Sequence, residues 1–258
     1  MINIPKIDKK IFFISDVHLP LRPSGTNSPP KLENKIIEWL EAIKPQAQAL
    51  FLLGDIFDFW FEYKYLVPKG AIRFQATLWE FYKAGIPVYF FLGNHDGWSI
   101  DYLTQECGVQ LFRKPASITL ANKRFLVGHG DTINPTILYK LLHKLYHSEW
   151  LKFFVRMLPV DWIYGTIDWY FTKKKGRLPY CRERDDAPSF LEKKDPIFQY
   201  CKHQIEPFNH HEFYIFGHTH CPYIKALNDS SSYCNLGDWV SHDTYACFDG
   251  VALSLHKF

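Results

Sequence analysis

Nowhere in the 258 residues is there a run of about 18 uncharged apolar side chains, the least that a helix needs to cross a bilayer. The opening stretch MINIPKIDKK is too polar for a secretory signal. The six cysteines, Cys107, Cys181, Cys201, Cys221, Cys234 and Cys247, include no C-x-x-C pair and no tight framework. Thiols so placed fit a reducing cytosol, and the expected location is cytoplasmic. An excess of one charge is also missing, since the net is only +3. Basic character is confined to residues 133–184, where ten Lys/Arg face four Asp/Glu, an excess of six that leaves −3 for the remainder. The run KKKGR at 173–177 is too short and isolated to argue for nucleic acid, and none is expected as a partner.

Apolar mass is plentiful. Hydrophobic residues make up 47% and aromatics 17%, enough for a full core and against disorder. The length suits one α/β domain, 1–258, carrying an insertion. Short apolar runs recur, and each stops at a polar residue. IFFIS leads to Asp16, LFLLG to Asp55, VYFFLG to Asn94, FLVG to His129 and FYIFG to His218. Runs of this length and make-up read as buried strands. Residues 31–43 and 71–84 between them have helical spacing, stopped by Pro45 and by Gly85 with Pro87. Strands alternating with helices imply a largely parallel sheet covered on both faces. Asn122 and Lys123 are expected to turn a hairpin into FLVG, and Val251, Leu253 and Leu255 to face inward from a last strand.

Four of the five runs place glycine just before the polar residue, at Gly54, Gly93, Gly128 and Gly217. Glycine suits a strand that turns out of a sheet beside a ligand, and the carboxyl ends of parallel strands are where such folds gather their sites. Asp16, Asp55, Asn94, His129 and His218 are therefore expected to converge. His18 and His220 join them, each two residues along from a member of the set and on the same side of an extended chain.

Imidazole, carboxylate and one amide oxygen, without thiolate, suit borderline divalent ions: Mn²⁺ first, with Fe²⁺ and Zn²⁺ accepted by the same donors. Seven donors exceed the needs of one tetrahedral ion. Two ions about 3.5–4 Å apart sharing a carboxylate account for the number, and such a pair activates water and offsets the charge of a phosphoester in flight. His95 lies next to Asn94 and outside the metal shell, placed to give a proton to a leaving oxygen. Asp96 is expected to orient that imidazole, and Asn94 and His95 to meet the substrate.

D-x-H, G-D, G-N-H-D, G-H-G-D and G-H-T-H, in this order from Asp16 to His220, resemble the calcineurin-like metallophosphoesterase superfamily. The resemblance implies a four-layer αββα sandwich of two mixed β-sheets. It also implies that Asp16, His18, Asp55 and His220 hold one ion, and Asp55, Asn94, His129 and His218 the other, with Asp55 the bridge. GDIFDFWFEYK, GHGDT and NLGDWV look more narrowly like the UDP-2,3-diacylglucosamine hydrolases of lipid A synthesis, in the form seen in Bacteroidetes-like bacteria. That family splits a pyrophosphate by water attack at the α-phosphorus. Its best-known branch carries Arg where this chain has His95, which matches the wider superfamily.

Residues 133–210 are expected to form a helical lid. Leu138, Leu141, Leu142 and Leu145 follow i, i+3, i+4, i+7, as do Leu151, Phe154, Val155 and Leu158, and Trp150, Trp162, Tyr164 and Trp169 add aromatic surface. Such a lid would hold a lipid-linked UDP-sugar and touch an anionic inner-membrane face. From spacing alone, a helical pair packed onto the domain explains the same residues. Two other functions share the motifs: a phosphodiesterase or pyrophosphatase for a soluble nucleotide, and a non-catalytic scaffold of the same fold. Against the scaffold, every ligand position is filled and His95 is present. His143 and His147 read as surface histidines, and Asp58 and Asp131 as orienting or turn residues. Asp238 and Trp239 stand near the last motif without assigned chemistry.

Overall fold

Alternate side chains of the first buried run face two different cores: Phe12 and Ile14 pack into one cluster, Ile11 and Phe13 into another. An apolar period of two on both sides is what a strand covered on both faces requires. The same division sets Leu50 and Leu52 against Phe51 and Leu53, and Val88 and Phe90 against Tyr89 and Phe91. The structure is a computed structural model and describes residues 2–20, 31–133, 137–146, 148–174 and 195–258.

A short β1 (Asn3–Ile4) precedes these runs, which form β2 (Lys10–Ile14), β3 (Ala47–Leu53) and β4 (Val88–Phe91). They pair in parallel and continue into β5 (Gln110–Phe112). At the far edge β11 (Thr244–Phe248) runs antiparallel to β2, and β12 (Leu253–Lys257) antiparallel to β11. The second sheet joins β6 (Ala116–Leu120), β7 (Lys123–Val127), β8 (Phe213–Phe216), β9 (Tyr223–Ala226) and β10 (Ser232–Asn235) in the order β1-β6-β7-β8-β10-β9, again mixed. The single parallel sheet expected from strand–helix alternation is thus two mixed sheets, as the family resemblance implies.

Between the sheets Phe13, Phe51 and Phe91 meet Phe125, Val127 and Ile215. Outside the first sheet lie α1 (Lys31–Ile43), α2 (Ile72–Lys83) and α3 (Tyr102–Cys107), which bury Trp39, Phe74, Phe81 and Leu103 against Phe12 and Phe90. Outside the second, Ile197 and Phe198 near residue 200 pack on Tyr214, Phe216 and Tyr233. Four layers result, α, β, β and α.

Two local expectations shift by a residue or two. The hairpin turns at Ala121 and Asn122, both with positive φ, and Lys123 already pairs with Leu120. Consecutive left-handed residues match the twist of the flanking strands. Leu253 and Leu255 pack inward, whereas Val251 sits in the preceding turn, 74% exposed. Among the cysteines, Cys107, Cys201, Cys234 and Cys247 are free and buried, while Cys221 is disulfide-bonded, against the expectation of reduced thiols throughout.

After β7 come α4 (Ile137–Tyr146), α5 (Glu149–Met157) and α6 (Val160–Lys174); the helix near residue 200 is α7 (Pro196–Tyr200). Ser148 caps α5 by accepting from Leu151 N. Leu151, Val155, Tyr164 and Ile167 pack on Phe59, Phe61 and Trp98. Trp98 Nε1 donates to Tyr146 O at 2.9 Å, and Tyr164 Oη to Phe61 O at 2.7 Å. The helices are thereby seated on the segments that follow β3 and β4. Their remaining apolar surface faces outward: Leu138, Leu141, Leu142 and Leu145 are each more than half exposed, as are Trp150, Phe154, Trp162 and Trp169. The stripe on α4 is therefore not buried against the domain, as the packed-pair reading required. His147, residues 175–194 and the side chains of residues 173–177 lie outside the described residues.

Candidate metal centre

The chain leaves β2 and β3 as two adjacent segments, tied by Asp16 N to Gly54 O and His18 N to Asp55 O, both at 3.0 Å. Neither segment stays extended. Asp16, His18 and Asp55 have φ near +50°, and His218 and His220 have φ of 68° and 59°. The left-handed region is uncommon outside glycine, and Asp and His are among the side chains that tolerate it. The pairs Asp16/His18 and His218/His220 thus converge through turned backbone and not through the alternation of a strand. Asn235 braces the second turn, its Nδ2 donating to Gly217 O at 3.1 Å and Thr219 Oγ1 at 2.8 Å.

Glycine serves mainly to leave room. A Cβ on Gly93 would lie 2.2 Å from Asp55 Oδ1, and one on Gly217 would lie 2.3 Å from Asp16 Oδ2. The carboxylates occupy the space that any other residue would fill.

Six of the expected donors form a contiguous set. Asp16, His18 and His220 make one group, and Asp55, His129 and His218 another; a third, His18 with Asp55 and His95, links them. His220 Nε2 lies 3.4 Å from Asp16 Oδ1, His129 Nε2 3.3 Å from Asp55 Oδ2, and His218 Nδ1 3.2 Å from His129 Nε2. The other edges of several ligands are held. His129 Nδ1 meets Leu53 O at 2.9 Å, His218 N donates to Asp16 Oδ2 at 2.9 Å, and His95 N donates to Asp55 Oδ1 at 2.9 Å. These contacts leave one atom of each side chain turned to the centre.

The residues fit a pair of cations on two grounds. Asp16 Oδ1, His18 Nε2 and Asn94 Oδ1 are buried with no hydrogen-bond partner among the described residues. A buried polar atom left so costs about 1–3 kcal/mol. The charges agree. Burial opposes ionisation of Asp55, yet His129 and His95 hold its carboxyl well below the usual range. Burial opposes a charged His129 as well, yet Asp55 and Asp16 raise it well above an ordinary imidazole. The site draws positive charge, which divalent ions would supply.

Residues 9–222 match the calcineurin-like phosphoesterase family. The chain is a calcineurin-like phosphoesterase. It is similar to the UDP-2,3-diacylglucosamine hydrolase of Porphyromonas gingivalis, 32% identical across 96% of this chain and 97% of the relative. It is also similar to the UDP-2,3-diacylglucosamine hydrolase of Vibrio vulnificus, 28% identical across 95% and 97%.

In this phosphoesterase four carboxylates near the centre have partners that the motifs did not reveal. Asp96 accepts from Ile56 N and Phe57 N, both at 3.1 Å, and so clamps the loop that carries Asp55. The ring of His95, which Asp96 was expected to orient, meets Asp58 O through Nδ1 at 2.6 Å. Burial and the charge of Asp55 push Asp96 up to about 7. The Asp58 carboxylate lies 3.5 Å from His18 Nδ1, and Asp131 3.8 Å from His143 Nε2. Asp238, given no chemistry by its motif, accepts from His220 Nδ1 at 3.0 Å and from Ser241 N at 2.7 Å. A readable signal was present: SYCNLGD is a sixth buried run that stops at a polar residue, and the fifth with glycine just before it. Trp239 donates its backbone N to Asp16 O at 3.1 Å.

Proposed function

We propose that this phosphoesterase hydrolyses the pyrophosphate of UDP-2,3-diacylglucosamine to UMP and 2,3-diacylglucosamine 1-phosphate. The observation that carries the reading is the similarity to the Porphyromonas gingivalis hydrolase along nearly the whole of both chains. Asp16, His18, Asp55 and His220 would hold one divalent ion and Asp55, Asn94, His129 and His218 a second, Mn²⁺ being the first candidate for this donor set. Two such ions, when bound, activate water and neutralise a phosphoryl group during in-line displacement. The chain's own part is placement. Asn94 and His95 face the reacting phosphate. His95, fixed through Nδ1 at Asp58 O, presents Nε2 to the leaving oxygen and protonates it as the bond to phosphorus breaks. Incubation of the Mn²⁺-loaded protein with UDP-2,3-diacylglucosamine is expected to release UMP. Absence of UMP, alongside good turnover of a soluble phosphodiester, would sink the lipid assignment.

We also place the protein at the cytoplasmic face of the inner membrane. No helix among the described residues is long and apolar enough to cross a membrane. The exposed face of α4 and α5, with Leu141 at 62%, Trp150 at 75% and Phe153 at 57%, gives surface contact instead, in a segment rich in Lys and Arg. Sedimentation with vesicles containing phosphatidylglycerol is expected for the wild type and lost in a Leu141→Ser, Trp150→Ser, Phe153→Ser variant. Equal binding by both would remove this face from the account.

A further inference from the structure

The chain that leaves β10 closes on the Asp16, His18 and His220 group at three points. Asn235 braces the turn that carries His220, Trp239 donates its backbone N to Asp16 O at 3.1 Å, and Asp238 stands between them against the His220 ring. Asp238 is only 1% exposed. A carboxylate so buried has no water to satisfy it and depends on the N–H groups around it.

Its two oxygens are divided. Oδ1 accepts from Ser241 N at 2.7 Å and from His242 N at 3.2 Å, which ties the side chain to its own turn. Oδ2 accepts from His220 Nδ1 at 3.0 Å. His242 Nδ1 lies 3.3 Å from the same oxygen without hydrogen-bond geometry, so Oδ2 is committed to His220. A carboxylate that accepts three N–H groups has no proton to give, and His220 therefore carries its own on Nδ1. Its Nε2 keeps the lone pair and lies 3.4 Å from Asp16 Oδ1. The His18 ring is stacked on His220 at 5.2 Å and 15°, with Nε2 3.9 Å from that same Asp16 oxygen. The other group is braced differently, since His129 Nδ1 meets a peptide carbonyl, Leu53 O. An anion behind an imidazole fixes its tautomer and raises its basicity as a ligand.

We propose that Asp238 is a positioning residue for His220: it holds the ring with Nε2 turned inward and unprotonated, and so sets the affinity of the Asp16, His18 and His220 position for a divalent ion. The position completed by Asn94, His129 and His218 does not depend on it. The proposal rests on the two-ion part of the functional reading and not on the identity of the substrate.

Mn²⁺ binding to the metal-free chain is titrated by the electron paramagnetic resonance of the free ion in wild type, Asp238→Asn, His220→Gln and the double variant. Asparagine keeps its oxygen on Ser241 N and turns Nδ2 toward His220, a donor facing a donor. The ring is relieved by moving its proton to Nε2, the atom that should take the ion. One of two Mn²⁺ equivalents therefore binds roughly 10–100-fold more weakly in Asp238→Asn, while the other is unchanged and the metal-free protein melts as wild type does. On a His220→Gln background Asp238→Asn costs nothing more, because the residue acts through that ring. Unchanged affinity for both ions, equal weakening of both, a lowered melting temperature of the metal-free protein, or a further loss beyond His220→Gln overturns the role. A wild type that binds no Mn²⁺ removes the two-ion reading and this proposal together. A wild type that binds two but releases no UMP from UDP-2,3-diacylglucosamine sinks the substrate assignment alone, because the titration contains no substrate.

Discussion

Asp55→Asn is expected to abolish turnover and to lower bound metal from two equivalents per chain to one or none. Asp55 belongs to two of the three donor groups, and its two oxygens face different neighbours. Oδ1 accepts from His95 N, while Oδ2 lies 3.3 Å from His129 Nε2 and 3.7 Å from His95 Nε2. Asparagine keeps the volume and the acceptor for His95 N, so the loop keeps its anchor. What it removes is the charge that holds His129 well above its ordinary pKa and that two cations would share. Stabilisation of the transition state by bound cations is worth several kcal/mol, and each 1.36 kcal/mol is a factor of ten, so the loss is roughly a thousandfold or more. Metal analysis beside the assay makes the result specific. Two equivalents with turnover within tenfold of wild type would show that Asp55 does not bridge.

The parts of this centre legible in the sequence were those that burial writes into it. β2, β3 and β4 are covered on both faces, so their runs are apolar without interruption, and Gly54 and Gly93 stand out at their ends. The backbone of the site was not legible. Asp16/His18 and His218/His220 look like alternate residues of a strand, but each is left-handed, and nothing in residue type distinguishes the two geometries. Gly93 suits a strand that turns out of a sheet beside a ligand; the decisive fact is the Asp55 carboxylate against its Cα, a contact between residues far apart in the chain. The contacts of Asp96 were hidden for the same reason, since Ile56 and Phe57 come beside it only in the fold.

The helices after β7 show a different limit. A period of 3.6 tells that α4 and α5 each have an apolar side, but it does not say what lies against that side. On α5 the pattern is split, Leu151 and Val155 facing Phe61 and Trp98 while Phe153 and Phe154 face out. The apolar total was readable, but its division between core and outer surface depended on where Phe59, Phe61 and Trp98 rise from the sheet.

His95→Gln is expected to lower kcat for the pyrophosphate substrate by about 10²–10⁴, the range for a lost general acid, while metal content stays at two equivalents. The ring is anchored by Nδ1 at Asp58 O, 2.6 Å away, and its Nε2 is 3.7 Å from Asp55 Oδ2. That placement puts Nε2 at the edge of the centre, with the backbone N of the same residue still fixing Asp55. Glutamine retains the backbone bond and a side-chain donor but has no proton to transfer. A nitrophenolate leaves without a proton and an alkoxide does not, so among artificial phosphodiesters the same variant should lose far more activity with an alkyl than with a nitrophenyl leaving group. The ratio of the two losses separates proton donation from metal binding, since a damaged metal site would depress both substrates alike. Equal losses on the two substrates would make His95 a ligand or a positioning residue, and the leaving oxygen would then need its proton from another group of the chain.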